Sequence, residues 1–328
     1  MVESTPSMVS RLLHMPGRSL LGLRNAYRRS PASPRFMARR LWYRAHARLP
    51  PEDRPLVDAF GRDGFVVLPG LLAPERLGVM RKTYLEHLER LDVNPPIDKH
   101  SRRGLSDVEN NRTLDLGKFQ TLADLEAFGV DRISGKDPLT WDAAFLRFAL
   151  DERILGIVAA HFGFRPVLGA CMALRTPVSR LQATDSSAWH RDSDATFLGK
   201  AFLYLNDVDR ETARFAYATG THRERHAQWD GKHRLSDDAF AEHVGRERWV
   251  DFTGPAGTVI LADTRGFHKG VPATKRHRDI FWATYTEGPA WSRRIDPKFV
   301  HGLSASQRAA LGSGPLDGMR TLDGREYH

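Results

Sequence analysis

The chain has 328 residues, 41% of them hydrophobic, and a single cysteine, Cys171. This size and composition suit one large domain with appendages, and one cysteine excludes both an internal disulfide and a multi-cysteine zinc or iron–sulfur site. The net charge of +9 comes from residues 1–50, which hold ten arginines, no lysine and one acid, Glu3; the remaining 39 basic and 39 acidic residues balance. This balance argues against a nucleic-acid partner. No apolar stretch approaches the roughly 20 residues of a membrane span and no secretory signal is seen, so we expect a cytoplasmic protein.

Residues 1–54 are predicted to form an arginine-rich helical N-terminal extension. Arginines alternate there with leucines, and Pro16, Pro31 and Pro34 divide the segment into short pieces. We interpret it as an extension that packs on the main domain with its arginines in solvent. Two alternatives stay open. Residues 1–50 would also suit peripheral contact with an anionic membrane surface, and the composition resembles that of a cleaved organelle transit peptide.

The main domain is predicted over residues 55–299. A strand over Phe65–Leu68 followed by a Pro-Gly turn marks its start. Apolar residues at three- and four-residue steps predict helices over residues 74–92 and 140–162. Between these helices, residues 94–139 are polar and predict long loops. Together with residues 222–248, they are expected to form the walls of an active site.

Residues 166–287 switch to short β-type runs separated by turns. The clearest runs cover residues 167–174, 201–205, 257–262 and 280–286. Many short strands after N-terminal helices predict a mainly β fold with flanking helices, either a barrel or a sandwich. Residues 300–328 are predicted to be a polar tail with one helix near residues 304–311.

A candidate metal site lies at Trp189-His-Arg-Asp192. In an extended segment, side chains two residues apart point to the same face, so His190 and Asp192 could both coordinate one metal ion. A third ligand is offered by His268, which ends a segment that begins at Gly257 and continues through an apolar strand. Two histidines and one carboxylate form the facial triad of non-haem Fe(II) oxygenases, which leaves coordination positions open.

A cationic residue near the third ligand predicts the co-substrate. Arg278 follows His268 by ten residues and directly precedes an apolar strand. A planar guanidinium pairs well with a carboxylate, such as the distal carboxylate of 2-oxoglutarate. Arg276 is the competing choice for this role. Each motif is weak alone, since the chain has 14 histidines, but the ordered set is specific.

At these positions the chain resembles the phytanoyl-CoA dioxygenase family of Fe(II)/2-oxoglutarate-dependent oxygenases. The resemblance covers residues 58–286. Its motifs are Gly64-Phe-Val-Val-Leu-Pro-Gly-Leu-Leu72, Ala160-His-Phe-Gly163, Trp189-His-Arg-Asp192 and the segment from Gly257 through His268 to Arg278. The resemblance implies a double-stranded β-helix, also called a cupin-like jelly roll, with Fe(II), 2-oxoglutarate and O2 as cofactor and co-substrates. It assigns iron to the His-Asp-His set and 2-oxoglutarate to Arg278.

Three further residues are candidates for the co-substrate pocket: Gln182, Thr196 and Trp282. Gln182 lies eight residues before His190 and would bind the end of the keto acid nearest the iron, with an ordinary strand amide as the alternative. For Thr196 and Trp282, packing is the favoured role. Related halogenases replace the metal carboxylate with a small residue, so Asp192 favours hydroxylation or another oxidation over halogenation. The substrate class implied is a small organic molecule, either a lipid or a secondary metabolite.

Two other functions remain as alternatives to the oxygenase. One is a non-catalytic membrane-surface or scaffold protein that acts through its basic N-terminus. The other is a zinc-type metal hydrolase on the same fold, because zinc also accepts two histidines and a carboxylate. Zinc alone, however, does not account for Arg278.

Overall fold

The protein is described from a computed structural model. The described residues are 34, 37–38, 40–41, 43, 49–98, 112–178, 185–192, 195–224, 234–288, 293–312 and 319–320. Contacts divide the chain into Met1–Arg48 and Leu49–His328. In the first unit, the described residues are all helical. No helix among the described residues is both long enough and apolar enough to cross a bilayer.

The regular elements of the second unit are as follows. The helices are α1 (Arg54–Asp63), α2 (Pro74–Glu89), α3 (Leu122–Phe128), α4 (Ala143–Ala149), α5 (Glu152–Phe162), α6 (Asp237–Ala241) and α7 (Ala305–Ala310). The strands are β1 (Phe65–Leu68), β2 (Ile97–Asp98), β3 (Arg112–Thr113), β4 (Ile133–Ser134), β5 (Val167–Thr176), β6 (Leu198–Tyr204), β7 (Arg214–Ala218), β8 (Trp249–Phe252), β9 (Val259–Asp263), β10 (His268–Val271), β11 (Arg278–Thr286), β12 (Arg293–Arg294) and β13 (Met319–Arg320).

Two antiparallel sheets build the body of the domain. The larger has the strand order β1-β9-β6-β11-β5-β4, and the smaller has the order β10-β7-β8. One core cluster takes its side chains from both sheets: Phe202 and Tyr204 from β6 pack with Phe215 and Tyr217 from β7. Two antiparallel sheets that share an interior, with flanking helices, confirm the predicted jelly-roll fold.

The outer face of the large sheet is covered by helices. Phe281 on β11 is fully buried, and its ring meets those of Phe145 and Phe148 on α4 at centroid distances of 5.2 and 5.8 Å. Side chains along a strand alternate between faces, so the neighbouring residues Ile280 and Trp282 face the shared interior instead. Both faces of β11 are therefore buried, which agrees with its continuous apolar sequence.

Two local predictions differ from the structure. The segment 94–139 contains a helix, α3, which begins with a capping box: Thr121 accepts from the backbone N–H of Asp124, and the Asp124 carboxylate accepts from the N–H of Thr121. The helix predicted over residues 140–162 is two helices, because the Asp151 carboxylate caps a new N-terminus by accepting from the N–H groups of Arg153 and Ile154.

Candidate metal centre

The two histidines of the candidate site are held together by their own backbones. His190 and His268 form an isolated antiparallel bridge: each N–H donates to the carbonyl of the other, at 3.0 and 2.9 Å. Directly opposed residues place their side chains side by side. The imidazole centroids accordingly lie 4.3 Å apart. The expected extended backbone at residue 190 is therefore present, as a bridge rather than a regular strand.

Asp192 completes the group from the same segment. Its backbone N–H donates to the carbonyl of Thr264 at 2.9 Å, which ties it to the turn that leads into His268. Its carboxylate oxygens lie 3.8 Å from Nε2 of His190 and 3.6 Å from Nε2 of His268. The three potential ligand atoms lie within 4.8 Å of one another, so one metal ion could contact all three. The structure thus brings together the three residues predicted as ligands.

Hydrogen bonds orient both imidazoles with Nε2 toward the centre. Nδ1 of His190 lies 2.9 Å from the carbonyl of Ala188, and Nδ1 of His268 lies 2.9 Å from that of Gly266. A carbonyl oxygen only accepts, so each Nδ1 carries the proton and each Nε2 keeps its lone pair. This is the arrangement by which proteins fix the tautomer of a metal-binding histidine.

The charge states also suit a cation. Burial lowers the pKa of both His190 and His268, and the nearby positive charge of Arg234 lowers both further. Burial alone would raise the pKa of Asp192, but the Lys200 ammonium beside it holds that pKa well below its usual range. Two neutral imidazoles and one carboxylate result near neutral pH, and these are the protonation states that bind a metal.

Arg278 lies at the start of β11 and is buried, with 7% of its surface exposed. Its Nη2 makes one long contact, 3.4 Å, with the hydroxyl of Thr176, and the Tyr204 hydroxyl is a second hydrogen-bond partner of the guanidinium. Burial lowers the pKa of Arg278. Its Nε is buried and has no hydrogen-bond partner among the described residues. A buried guanidinium with an unfilled donor fits a site for an external carboxylate, such as the distal carboxylate of 2-oxoglutarate.

The competing arginine has a different environment. Arg276 is 55% exposed and pairs with the carboxylates of Asp209 and Glu211. Its charge is already matched by protein groups at the surface. Between the two residues, the structure therefore favours Arg278 as the one available to a bound anion.

The other predicted pocket residues lie in three different settings. Trp282 packs against the interior cluster between the sheets. Thr196 is exposed, and its backbone N–H donates to Glu287 at 3.0 Å. Gln182 lies outside the described residues, as do parts of the predicted wall segments 94–139 and 222–248.

A second His-His-Asp group is less suited to a cation. His161, His222 and Asp263 also lie within reach of one another. However, Arg265 donates Nε to one Asp263 oxygen at 2.8 Å and Nη2 to the other, while Nε2 of His161 lies 3.0 Å from the second oxygen. The guanidinium already occupies both oxygens and would repel a metal ion. This cluster instead anchors the turn between β9 and His268.

Two residues near the centre were not predicted from the sequence. Lys200 on β6 donates from Nζ to Oδ2 of Asp192 at 2.5 Å. Asp237, at the start of α6, accepts from Nε1 of Trp189 at 2.9 Å and also from Nζ of Lys269. Trp189 and Lys269 are the chain neighbours of the two histidines, so Asp237 links the two ligand segments. A lysine in the apolar run of β6 was the one available sequence signal.

Comparison with known proteins identifies the family. The profile of the phytanoyl-CoA dioxygenase (PhyH) family matches residues 60–279. This match covers more than half of the chain, so the chain belongs to that family. The match contains the predicted ligands and Arg278. Together with the His-Asp-His group, family membership supports iron as the metal and 2-oxoglutarate as the co-substrate. No curated protein matches the chain.

Solved structures are similar to this chain at low sequence identity. The non-heme alpha-ketoglutarate-dependent carbocyclase SnoK from nogalamycin biosynthesis has a TM-score of 0.51 and 16% identity, with 71% of this chain and 83% of that chain covered. The epimerase SnoN from the same biosynthesis has a TM-score of 0.49 and 16% identity, with 71% of this chain and 82% of that chain covered. EctD from S. alaskensis with bound Fe has a TM-score of 0.49 and 15% identity, with 81% of this chain and 87% of that chain covered. The likeness to SnoK supports the jelly-roll fold.

Proposed function

Because the chain belongs to the phytanoyl-CoA dioxygenase family, we propose that it hydroxylates, or otherwise oxidises, an unactivated C–H bond of a small organic substrate. The reaction depends on Fe(II) and 2-oxoglutarate and releases succinate and carbon dioxide. The observation that carries this proposal is the combination of a His-Asp-His group with a buried, incompletely paired arginine, Arg278. A metal hydrolase would need the first feature but not the second.

Each part of the site has a defined role in this reaction. His190, Asp192 and His268 would hold the iron, and the Nδ1 atoms of the two histidines, each bound to a backbone carbonyl, keep Nε2 aimed at it. Arg278 would hold the distal carboxylate of 2-oxoglutarate. Bound iron and 2-oxoglutarate supply the oxidising chemistry, with dioxygen reduced as the keto acid is decarboxylated. The protein positions one C–H bond and limits the access of water.

Asp192 supports oxidation rather than halogenation. A halide that binds iron needs the position that a carboxylate otherwise occupies. The Asp192 carboxylate lies within 4 Å of Nε2 of both histidines, so it fills the third protein position.

A lipid and a secondary metabolite are both compatible with these residues. Peripheral membrane contact through residues 1–50 stays a separate proposal, testable by liposome binding with and without that segment.

The proposal is tested with full-length protein purified without oxygen and loaded with Fe(II) and 2-oxoglutarate. We expect the visible charge-transfer absorption of the iron–keto acid complex, followed by succinate when oxygen is admitted. His268→Ala should abolish both signals, and the exposed His301→Ala should leave both unchanged. Tight zinc with no succinate would favour the hydrolase. Binding of neither iron nor 2-oxoglutarate would refute the proposal.

A further inference from the structure

We propose that the substrate carries an anionic group, a carboxylate or a phosphate, and that Lys200 binds this group beside the metal. The inference rests on the proposed function, because it concerns the same site. It adds the chemical class of the substrate, which family membership does not specify.

Lys200 occupies an interior position at the centre. On β6 it shares a face with Phe202 and Tyr204, which belong to the core between the sheets. Its side chain is only 15% exposed. The ammonium lies 2.5 Å from Oδ2 of Asp192 and 5.2 Å from the centroid of the Trp282 ring. A largely buried lysine at this place is not an ordinary surface charge.

The ammonium has unused hydrogen-bonding capacity. An ammonium carries three N–H donors. Within the described part of the chain, Asp192 is the one hydrogen-bond acceptor of Lys200 Nζ. Leaving charged donors incompletely paired in a buried site is unfavourable. An anionic group bound beside Asp192 would complete this set, whereas a neutral or cationic group would do so less well.

The charge balance of the loaded site points the same way. Both histidines would bind the metal as neutral imidazoles, because each Nδ1 carries a proton that faces a backbone carbonyl and each Nε2 keeps its lone pair. Iron carries two positive charges, and Lys200 and Arg278 carry one each. Asp192 and doubly ionised 2-oxoglutarate together carry three negative charges. One positive charge is left over. A substrate anion would balance this excess.

The position of Lys200 separates it from the distal end of the co-substrate. Lys200 is paired with Thr284, six residues along β11 from Arg278. At about 3.3 Å per residue, the two backbone positions are about 20 Å apart. The two cations therefore reach toward the centre from opposite ends of β11. Arg278 suits the distal carboxylate, which leaves Lys200 for a second anion on the metal side.

The test uses the full chain loaded with Mn(II), which replaces iron without turnover, and saturated with 2-oxoglutarate. The probes are matched pairs of small molecules: short aliphatic and aromatic carboxylic acids with their primary amides, and alkyl phosphates with their alcohols. Proton relaxation caused by Mn(II) reports which probes bind beside the metal and how tightly. We expect at least one anion to bind about tenfold or more tightly than its neutral partner, as a charge-assisted hydrogen bond would give.

The variants assign this preference to Lys200. Lys200→Met should weaken binding of the anion by about ten- to hundredfold while the affinity for 2-oxoglutarate changes little, and Lys200→Arg should keep the preference. Lys275→Met is the matched control, because Lys275 is 69% exposed and pairs with Glu211. Unfolding curves show whether each variant is folded.

Three outcomes would overturn the inference. The first is equal binding of anionic and neutral probes, and the second is a preference that Lys200→Met leaves intact. The third is a loss of 2-oxoglutarate affinity in Lys200→Met as large as the loss of anion affinity. The last result would assign Lys200 to the co-substrate. In each case the unchanged protein still binds Mn(II) and 2-oxoglutarate, so the proposed function stands. If neither binds to the unchanged protein, the proposed function itself fails.

Discussion

Replacing Arg278 by methionine should separate co-substrate binding from stability. Arg278 is buried, and its Nε has no hydrogen-bond partner among the described residues. In the protein without 2-oxoglutarate, this guanidinium is therefore a charge with an incomplete set of partners. Methionine is flexible and apolar and can occupy much of the same space without a polar atom that needs a partner.

The size of both effects follows from the environment of Arg278. A buried donor without a partner costs about 1–3 kcal/mol, so Arg278→Met should leave the unfolding free energy of the ligand-free protein unchanged or raise it by up to that amount. Losing one member of a buried ion pair costs about 3–5 kcal/mol. The dissociation constant for 2-oxoglutarate should therefore rise by roughly two to four orders of magnitude.

Two measurements check this prediction. Urea unfolding without 2-oxoglutarate gives the stability, and titration of the Mn(II)-loaded protein gives the affinity. Arg276→Met is the control, because Arg276 is exposed and pairs with surface carboxylates, and it should change 2-oxoglutarate affinity very little. The reasoning is refuted if Arg278→Met unfolds the ligand-free protein while 2-oxoglutarate binding by the folded fraction is unchanged.

Three further predictions concern the support of the site. Asp237→Ala should weaken metal affinity in a metal titration by about ten- to hundredfold, because Asp237 links the two segments that carry the histidine ligands. The control Asp238→Ala breaks an exposed ion pair with Arg246 and should leave metal affinity unchanged. Burial would raise the pKa of Asp263, but Arg265 and His161 hold it well below its unfolded value of about 3.9. Asp263 therefore adds stability above about pH 4 that is lost as the pH falls, and in acid unfolding series Asp263→Asn should reduce that dependence. Gly64→Ala should lower the urea unfolding free energy by about 2 kcal/mol or more, because Gly64 has φ 88° and an added methyl group would overlap the Tyr217 hydroxyl.

The sequence predicted the features that depend on local pattern. The strand Phe65–Leu68 agrees with the structure at both ends, and the helix predicted from residue 74 begins there. The ligand set was also accessible, because His190 and Asp192 are close in the chain and His268 ends an apolar run. Alternation and spacing are properties of neighbouring residues, so they can be read without the fold.

The missed features fall into two groups. The helix α3 was missed although its capping box, Thr121 to Asp124, is a local signal. Lys200 and Asp237 are different, because each acquires its role through contact with a distant segment. Asp237 is 48 residues from Trp189 and 32 from Lys269. No local pattern specifies such a meeting, since it depends on how α6 packs against the two ligand segments.

Two adjacent charged residues of β11, Arg278 and Asp279, show how a ligand-binding charge differs from a structural one. Asp279 is buried and fully engaged: Arg175 donates two hydrogen bonds to it, at 2.8 and 2.7 Å, and the Tyr84 hydroxyl donates a third at 3.1 Å. Arg278, its neighbour on the opposite face, contacts the hydroxyls of Thr176 and Tyr204, but its buried Nε has no partner among the described residues. Both residues are ionisable and buried, so burial alone does not distinguish them. The completeness of the partner set does, because a protein stabilises a structural charge with its own groups and leaves a binding charge for its ligand. By the same criterion, Lys200 belongs with Arg278, and Asp263 belongs with Asp279.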